Sequence, residues 1–531
     1  MGMSSAHPLS GLSFIGFSRG RAGGPSWRAF DSAAGAELPE VFHAAHPDEA
    51  DRAADLAAAA APILAALSGK TKAAFLRALA DRIVAAAPAL GARAVRETAL
   101  PEARCQGEIG RTVGQLRLFA ALVEKGEWVD ARIEHADPER KPVPKPDHRS
   151  MCRSLGPVAV FCASNFPFAY SVAGGDTASA FAAGCPVIVV AHQAHPGTAE
   201  IMAGLVVEAV REARLPEGTF SMVQGDGRDV GQRLVKHPAM RAVGFTGSRA
   251  GGRALMDLAA ARPSPIPVYA EMSSVNPVVL LEGALTSRGE AIAAGMVGSC
   301  TLGVGQFCTQ PGVLLLVRSA AAEAFVAQLA ALFAVAPEGV MLTPGIRRAY
   351  ASAVAARSAR KDVRVLATGP SSERSCGAQA VLLQVSASDF IADTALHEEV
   401  FGPCSLVVVC DDLAQLHRAL ASMEGSLTAT LHASDAELPQ QQGLLAALSA
   451  LAGRVILNGF PTGVEVSHAI VHGGPYPSLS DGRTTSVGSN AIYRFTRLVC
   501  YQGFADAALP DELKESNPLG IARLVDGVRR V

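Results

Sequence analysis

The sequence has no strong charge imbalance and no long apolar run. Its 47 Lys+Arg and 49 Asp+Glu residues give a formal net charge of -2, so no general attraction to nucleic acid or to an anionic membrane is expected. No apolar segment reaches the roughly 20 residues needed to span a bilayer, and the N-terminus has no basic stretch followed by an apolar one. We expect a cytoplasmic protein with a small-molecule partner and no nucleic-acid or membrane partner.

Paired cysteines are also absent. The 10 cysteines include no CxxC pair and no Cys/His cluster at zinc spacing, which argues against a disulfide framework and predicts no metal site. In a reducing compartment most of them would be small buried hydrophobes. A reactive cysteine has to be identified by its surroundings.

The composition is that of a folded globular protein, with 49% hydrophobic and 18% charged residues over 531 positions, and this length favours one enzyme with two or more lobes. Residues 50–100 are Ala-rich with helical periodicity and predict a helical pair. After residue 154 come two series of short apolar runs, and within each series the runs are separated by helical segments. This alternation predicts two α/β lobes with parallel sheets. The first series is PVAVFCA, PVIVVA, TFSMVQ, RAVGFTG and PVYAEM; the second is GVLLLVRS, AVLLQV, CSLVVVC, LTATLHA and GRVILNG. Residues 135–154, with four prolines, predict a linker or an extended edge segment.

Polar or glycine-rich segments follow two strands of the first lobe, where ligands of open parallel sheets bind. Asn165 could donate an amide N–H to a developing oxyanion, or it could be a turn residue before Pro167. In GFTGSRAGG, residues 244–252, free backbone N–H groups at a helix start would favour a pyrophosphate, with Ser248 as a cap or phosphate contact. Alone, this segment could also be an ordinary tight turn.

Glu271 and Cys308 are the two remaining candidates for chemistry. Glu271 ends the apolar strand PVYAEM, where burial would raise its pKa toward neutrality and suit it as a general base; the alternative is a carboxylate paired with a nearby Arg or Lys. Cys308 lies in TLGVGQFCTQPG, whose glycines allow tight turns and close approach of small molecules. Cys162, Cys404 and Cys410 lie in bulky apolar runs, which is typical of structural cysteines.

Five motifs in order resemble the aldehyde dehydrogenase superfamily: SNFPF (164–168), GFTGS (244–248), AEMSSVNP (270–277), GQFCTQP (305–311) and EEVFGP (398–403). The resemblance implies an aldehyde dehydrogenase-like α/β fold in three parts. These are a cofactor-binding domain (1–134 and 153–271), a catalytic domain (272–491) and a small oligomerisation element (135–152 and 492–531). It also implies a homodimer or homotetramer.

The resemblance implies a catalytic role for each of three residues. The Cys308 thiolate attacks the aldehyde, the Asn165 amide and the Cys308 backbone N–H hold the oxyanion, and Glu271 activates the water that hydrolyses the thioester. Glu399 and Phe401 would position the nicotinamide ribose and ring of NAD or NADP. Further cofactor contacts are expected from Phe166, His192, Gly227, Arg228, Gly247 and Ser248.

Other segments, including GRTVGQLRLFA (110–120) and HGGPYP, resemble the branch that holds 2-oxoglutarate semialdehyde dehydrogenases and NADP-preferring fatty aldehyde dehydrogenases. We favour the first activity, with the second as the alternative. Because such a semialdehyde carries a carboxylate, a cation is expected at the substrate mouth, and Arg111 is the candidate. A salt bridge on the helix surface is the competing interpretation of Arg111.

Two departures from the family pattern stand out. Val190 occupies the place of a lysine that usually reaches the adenine ribose, which leaves the choice between NAD and NADP open. His192 and Arg228 are the candidates to substitute for this lysine. EMSSVNP replaces the commoner ELGGK but keeps Glu271.

Two rival functions remain. A CoA-acylating enzyme would need no water-activating Glu271. A catalytically silent binding protein would be expected to lose Asn165, Glu271 and Cys308.

Overall fold

The computed structural model describes residues 9–372 and 374–531. The helices are α1 (Pro47–Ala65), α2 (Gly69–Thr98), α3 (Glu102–Lys125), α4 (Gly175–Ala183), α5 (Pro196–Glu212), α6 (Gln232–Lys236), α7 (Arg249–Ala260), α8 (Glu282–Thr301), α9 (Ala320–Val335), α10 (Pro344–Ser358), α11 (Ala387–Ala392), α12 (Leu413–Ser422) and α13 (Gln442–Leu451). No helix in the described ranges is both long and apolar enough to cross a membrane.

The strands fall into three larger sheets and two small two-stranded ones. They are β1 (Phe14–Ile15), β2 (Ser18–Arg19), β3 (Ser26–Asp31), β4 (Ala36–His43), β5 (Arg132–Glu134), β6 (His148–Ser154), β7 (Val158–Phe161), β8 (Val187–Val190), β9 (Phe220–Val223), β10 (Ala242–Thr246), β11 (Val268–Glu271), β12 (Val278–Leu280), β13 (Val313–Val317), β14 (Gly339–Val340), β15 (Arg364–Thr368), β16 (Gly377–Ala378), β17 (Val381–Ser386), β18 (Cys404–Cys410), β19 (Ser426–His432), β20 (Ala452–Leu457), β21 (Thr496–Gln502), β22 (Arg523–Val525) and β23 (Val528–Arg530).

The first sheet has the order β11-β10-β7-β8-β9-β1-β2. Strands β7 to β11 are parallel, and the short β1 joins β9 antiparallel. Alternate residues of β7 enter two separate cores: Val158 and Val160 pack with residues of α2 to α5, and Ala159 and Phe161 pack with residues of α1, α6 and α7. Helices therefore cover both faces, which explains why these strands are continuous apolar runs.

The second sheet has the order β15-β17-β18-β13-β12-β19-β20 and is parallel except for β15. Its strands also divide their side chains between two cores, since Leu314 and Leu316 pack with α8 and α9 whereas Val313 and Leu315 face residues of α11 to α13. The fold class is thus confirmed as α/β, with two mainly parallel sheets. All ten apolar runs named above contain a strand.

The third sheet, β21-β6-β5-β22-β23, joins the segment around residues 132–154 to the C-terminal part of the chain. Here the expectation of a linker or edge segment for residues 135–154 is only partly met. His148–Ser154 forms β6, which lies inside the sheet between β21 and β5. Leu498 of β21 is 68% exposed. The role of this sheet in oligomerisation, and the domain boundaries given above, stay predictions.

Candidate active site

A cleft of about 600 Å³ lies at the carboxyl edge of the first sheet. The chain leaves β7, β8, β9, β10 and β11 at this edge, so the segments that follow these strands converge on one opening. The neighbours of β7 are β8 on one side and β10 on the other, which makes this the point where the strand order reverses. The predicted residues that line the cleft are Asn165, Val190, His192, Gly227, Arg228, Gly247, Ser248, Glu271, Cys308, Glu399 and Phe401.

Cys308 reaches the cleft from the second lobe, in the turn between α8 and β13. The backbone of Gly303, Val304 and Gly305 has positive φ, at 55°, 60° and 65°. A Cβ on Gly305 would lie 2.3 Å from the carbonyl carbon of Gly402, so only glycine fits there. This close contact joins the turn before Cys308 to the EEVFGP segment, and it brings the cysteine and Glu399 to the same cleft.

Glu271 is buried and tightly held at the end of β11. Its Oε1 lies 3.0 Å from Nε2 of His472, and its Oε2 accepts a hydrogen bond of 2.5 Å from the hydroxyl of Ser486. Burial alone would raise the pKa of the Glu271 carboxyl, but the charge and hydrogen bond of His472 and the Ser486 hydroxyl hold this pKa below its ordinary value. The expected rise toward neutrality is therefore wrong, and the partner of Glu271 is a histidine rather than an Arg or Lys.

The Cys308 sulfur lies 3.5 Å from Nε2 of the same His472. Burial, and then the neighbouring Glu271 carboxylate, raise the pKa of the Cys308 thiol well above its ordinary value, although the positive charge of Arg111 opposes this rise. The free protein consequently holds Cys308 as a protonated thiol at neutral pH. A thiolate requires a base that removes the proton.

Asn165 follows β7 and faces the Cys308 turn. Its Nδ2 donates to the carbonyl of Gln306 at 2.9 Å, which leaves the second N–H of the amide for another acceptor. The segment after Asn165 is fixed by a buried carboxylate, because Oε1 of Glu108 accepts the backbone N–H groups of Phe168 and Ala169, each at 2.8 Å. The Asn165 amide is therefore tied to the segment before Cys308, and it lines the same cleft as the thiol.

Comparison with known proteins decides the family. Residues 28–498 match the model of the aldehyde dehydrogenase family. The chain belongs to this family.

Two curated relatives carry a more specific name. The chain is 51% identical over 520 residues to alpha-ketoglutaric semialdehyde dehydrogenase 2 of Azospirillum brasilense, covering 98% of this chain and 99% of the relative. It is 45% identical to alpha-ketoglutaric semialdehyde dehydrogenase of Acinetobacter baylyi, covering 98% of each. Among solved structures, lactaldehyde dehydrogenase from Escherichia coli aligns with a TM-score of 0.79 at 22% identity, over 92% of this chain and 98% of that one. The protein is an NAD(P)-dependent aldehyde dehydrogenase.

The cleft of this aldehyde dehydrogenase fits a dinucleotide. Its volume falls within the roughly 300 to 1,000 Å³ of ligand sites. Helix α7 begins at the cleft, with Ser248 as its N-cap accepting the N–H of Gly251 at 3.2 Å, and a helix N-terminus attracts phosphate. The cap predicted for Ser248 is confirmed. Across the cleft, burial raises the pKa of Glu399 to about 7.

Only one of the two candidates for the missing lysine can carry a charge. Burial, and then His195, lower the pKa of His192 to about 3, and its Nδ1 accepts the backbone N–H of Ala194 at 3.1 Å. A neutral imidazole is no substitute cation, so that expectation for His192 is wrong. Arg228 is exposed at the cleft, and its guanidinium has no ion-pair partner among the described residues. Val190 is buried at the end of β8.

Two predicted contacts lie outside the residues that line the cleft. Phe166 packs edge-on against Phe307, with ring centroids 5.4 Å apart, and against Tyr170 at 5.2 Å. Arg111 donates to the Tyr170 hydroxyl at 3.2 Å. No carboxylate in the described part of the chain lies within ion-pair distance of Arg111, so the surface salt bridge is not observed. Both residues lie near the thiol but do not line the cleft.

His472 and Ser486 were missed as site residues. They lie in HGGPYP and RTTSVGSN, the C-terminal segments that mark the branch, but spacing alone does not show that they meet Glu271. Within residues 9–372 and 374–531, the one group of three side chains able to hold a metal ion is Glu271, Cys308 and His472.

Proposed function

We propose that this enzyme oxidises 2-oxoglutarate semialdehyde to 2-oxoglutarate, with Cys308 as the nucleophile. The observation that carries the proposal is the contact of the Cys308 thiol with the pair formed by Glu271 and His472, at the edge of a dinucleotide-sized cleft. Support for the substrate comes from the two curated relatives named as dehydrogenases of this semialdehyde. Glu271 favours transfer of the acyl group to water rather than to CoA.

The first step removes the thiol proton. Glu271 is ionised and adjacent to Cys308, and it takes this proton. Before the transfer, the N–H of His472 and the hydroxyl of Ser486 keep the carboxylate ionised and hold its two oxygens in place. The thiolate then attacks the aldehyde carbon and forms a thiohemiacetal. The second N–H of the Asn165 amide and the backbone N–H of Cys308 stabilise the oxyanion.

NAD(P)+, when bound in the cleft, supplies the hydride acceptor. Gly247 and Ser248 at the start of α7, together with Gly227, would hold its phosphates, and Glu399 with Phe401 would hold the ribose and the ring. Loss of hydride from the thiohemiacetal leaves a thioester on Cys308. Glu271, having returned its proton to solvent, activates a water that hydrolyses the thioester. In total, aldehyde, NAD(P)+ and water give acid, NAD(P)H and a proton.

Arg228 is our candidate for the cation that replaces the lysine expected at Val190. Its guanidinium can bind a 2′-phosphate through two parallel hydrogen bonds, so we propose that Arg228 supports binding of NADP. We further propose that the third sheet, β21-β6-β5-β22-β23, forms the oligomerisation element of a homodimer or homotetramer. Its exposed Leu498 supports this role.

Steady-state kinetics with 2-oxoglutarate semialdehyde, pentanal and dodecanal, each with NAD and with NADP, tests the function. We expect the highest kcat/KM for the semialdehyde and a free acid as product without CoA. A higher kcat/KM for dodecanal would contradict the substrate and favour a fatty aldehyde dehydrogenase. A product that forms only when CoA is added would contradict hydrolysis, and absence of turnover with all three would favour a silent binding protein.

A further inference from the structure

Arg454 of β20 is a partly buried cation close to the nucleophile. Its NH2 donates to the carbonyls of Pro461 and Gly463, at 2.5 and 2.8 Å. The N–H of Gly463 in turn donates to Oγ1 of Thr309 at 3.1 Å, and Thr309 is the residue after Cys308. Two hydrogen bonds thus connect Arg454 to Thr309, the chain neighbour of the reacting residue.

The loop that Arg454 binds packs against aromatic side chains next to the nucleophile. Val464, Val466 and Ile470 of this loop pack against the cluster that contains Phe166, Tyr170 and Phe307. Arg111 lies over the Tyr170 ring, 5.2 Å from its centroid. The loop held by Arg454 and the side chain of Arg111 therefore contact the same aromatic cluster, one from β20 and one from α3.

Neither cation has an acidic partner in the described part of the chain. Arg454 makes its hydrogen bonds to neutral carbonyls, and Arg111 to a neutral phenol. The Nε atoms of both are buried and have no hydrogen-bond partner. Glu465, the acidic residue of the loop, is exposed and accepts the N–H of Val466.

Two unpaired guanidinium groups in a partly buried site are costly unless an anion joins them. Burial lowers the pKa of Arg454, and Arg111 lowers it further, whereas the nearby Cys308 and Tyr170 oppose this change. Each guanidinium would gain a charge-assisted hydrogen bond from a carboxylate placed between them. A neutral aliphatic chain would gain none.

We propose that Arg454 is a specificity-determining residue which, with Arg111, binds the carboxylate end of the substrate while the aldehyde end meets Cys308. This assignment rests on the proposed function, because it takes an aldehyde with a carboxylate as substrate. It adds a second cation, on the other lobe, to the single one expected from the sequence. The site then selects short aldehydes that end in a carboxylate over neutral ones of the same length.

The test compares 2-oxoglutarate semialdehyde with pentanal, a neutral aldehyde of equal chain length, in wild type and Arg454→Met. We expect Arg454→Met to lower kcat/KM for the semialdehyde about 10- to 100-fold, the usual effect of losing a hydrogen bond between charged groups. The value for pentanal should change less than about threefold. Arg454→Gln keeps a donor for the loop carbonyls without the charge and should lose the same preference. Arg318→Met, at an exposed ion pair with Asp411 on the surface of the same lobe, is the control.

A second readout does not depend on turnover of the semialdehyde. Inhibition of pentanal oxidation by 2-oxoglutarate should weaken about 10-fold or more in Arg454→Met and in Arg111→Met. If Arg454→Met lowers kcat/KM equally for both aldehydes, Arg454 only supports the loop. If kcat/KM is unchanged for both aldehydes, Arg454 takes no part in substrate recognition. Either result overturns the assignment. A wild-type enzyme without preference for the semialdehyde would instead contradict the proposed substrate.

Discussion

Nε2 of His472 lies 3.0 Å from the Glu271 carboxylate and 3.5 Å from the Cys308 sulfur. One ring nitrogen therefore contacts both the proposed base and the proposed nucleophile. The other nitrogen, Nδ1, is buried without a hydrogen-bond partner. This arrangement makes His472 a positioning residue that keeps Glu271 ionised and close to the thiol.

Replacing His472 should change the pH dependence of the reaction as well as its rate. His472 lowers the pKa of Glu271, so His472→Phe should raise this pKa. As the solution is acidified, Glu271 will then lose its charge at a higher pH, so the acid limb of the kcat/KM profile should move to higher pH.

We also expect kcat of His472→Phe to fall roughly 10-fold or more. His472→Gln, which keeps an N–H donor, should restore much of the rate. An unchanged profile in His472→Phe, with the exposed His468→Phe as control, would remove His472 from the mechanism.

Glu271→Gln should stop the reaction at the thioester. An amide cannot take a proton from water, so we expect hydrolysis to slow about 100-fold or more. The thiol also loses its base, and the first step should slow too, but a high pH supplies thiolate directly. At pH 9.5, mass spectrometry of the variant mixed with semialdehyde and NAD(P)+ should show an acyl group on Cys308. Rapid multiple turnover in the variant would mean that another group activates the water.

Cofactor affinity should depend on pH through Glu399. Its pKa is about 7, above the ordinary value, so the carboxyl is mostly neutral at pH 6 and mostly ionised at pH 8. The ionised form accepts the two ribose hydroxyls through charge-assisted hydrogen bonds, which are stronger than those to the neutral carboxyl. The KM for the cofactor should therefore fall as pH rises from 6 to 8. This dependence should be absent in Glu399→Gln and kept in Glu398→Gln, its exposed neighbour. A cofactor KM that is flat with pH in the wild type would argue against ribose binding by Glu399.

Arg228 should distinguish the two cofactors. Arg228→Met is expected to raise the KM for NADP about 10-fold or more, because a charged hydrogen-bond pair to the 2′-phosphate is lost, and to leave the KM for NAD nearly unchanged. Arg233→Met is the matched control, since Arg233 pairs with Asp51 on the surface. Equal effects on both cofactors would show that Arg228 does not read the 2′-phosphate. His192→Gln should not favour either cofactor, because His192 is neutral.

Much of the fold could be predicted because it follows from local pattern. Strands buried on both faces, such as β7 and β8, appear in the sequence as apolar runs, and the Ala-rich periodicity of α1 and α2 is equally direct. Short strands at other places were not predicted. β12 has only three residues, and β6 is recognised as an inner strand only through its long-range partner β21.

Individual site residues could be predicted where a single sequence motif indicates a function. Asn165, Glu271 and Cys308 each lie in a recognisable segment after, at the end of or before a strand. The pKa of Glu271 could not be predicted, because it depends on His472, which is 201 positions away in sequence. The neutral state of His192 likewise comes from burial that the loop sequence does not reveal.

Cys308→Ala tests the central claim most directly. The variant should unfold near the wild-type temperature, since the contact it loses with His472 is long, at 3.5 Å, and it should still bind NAD(P)+. With 2-oxoglutarate semialdehyde we expect no reduced cofactor above background, while Cys410→Ala, at a structural cysteine of β18, stays active if it folds. Retention of aldehyde oxidation in Cys308→Ala would contradict covalent catalysis by Cys308 and the proposed mechanism with it.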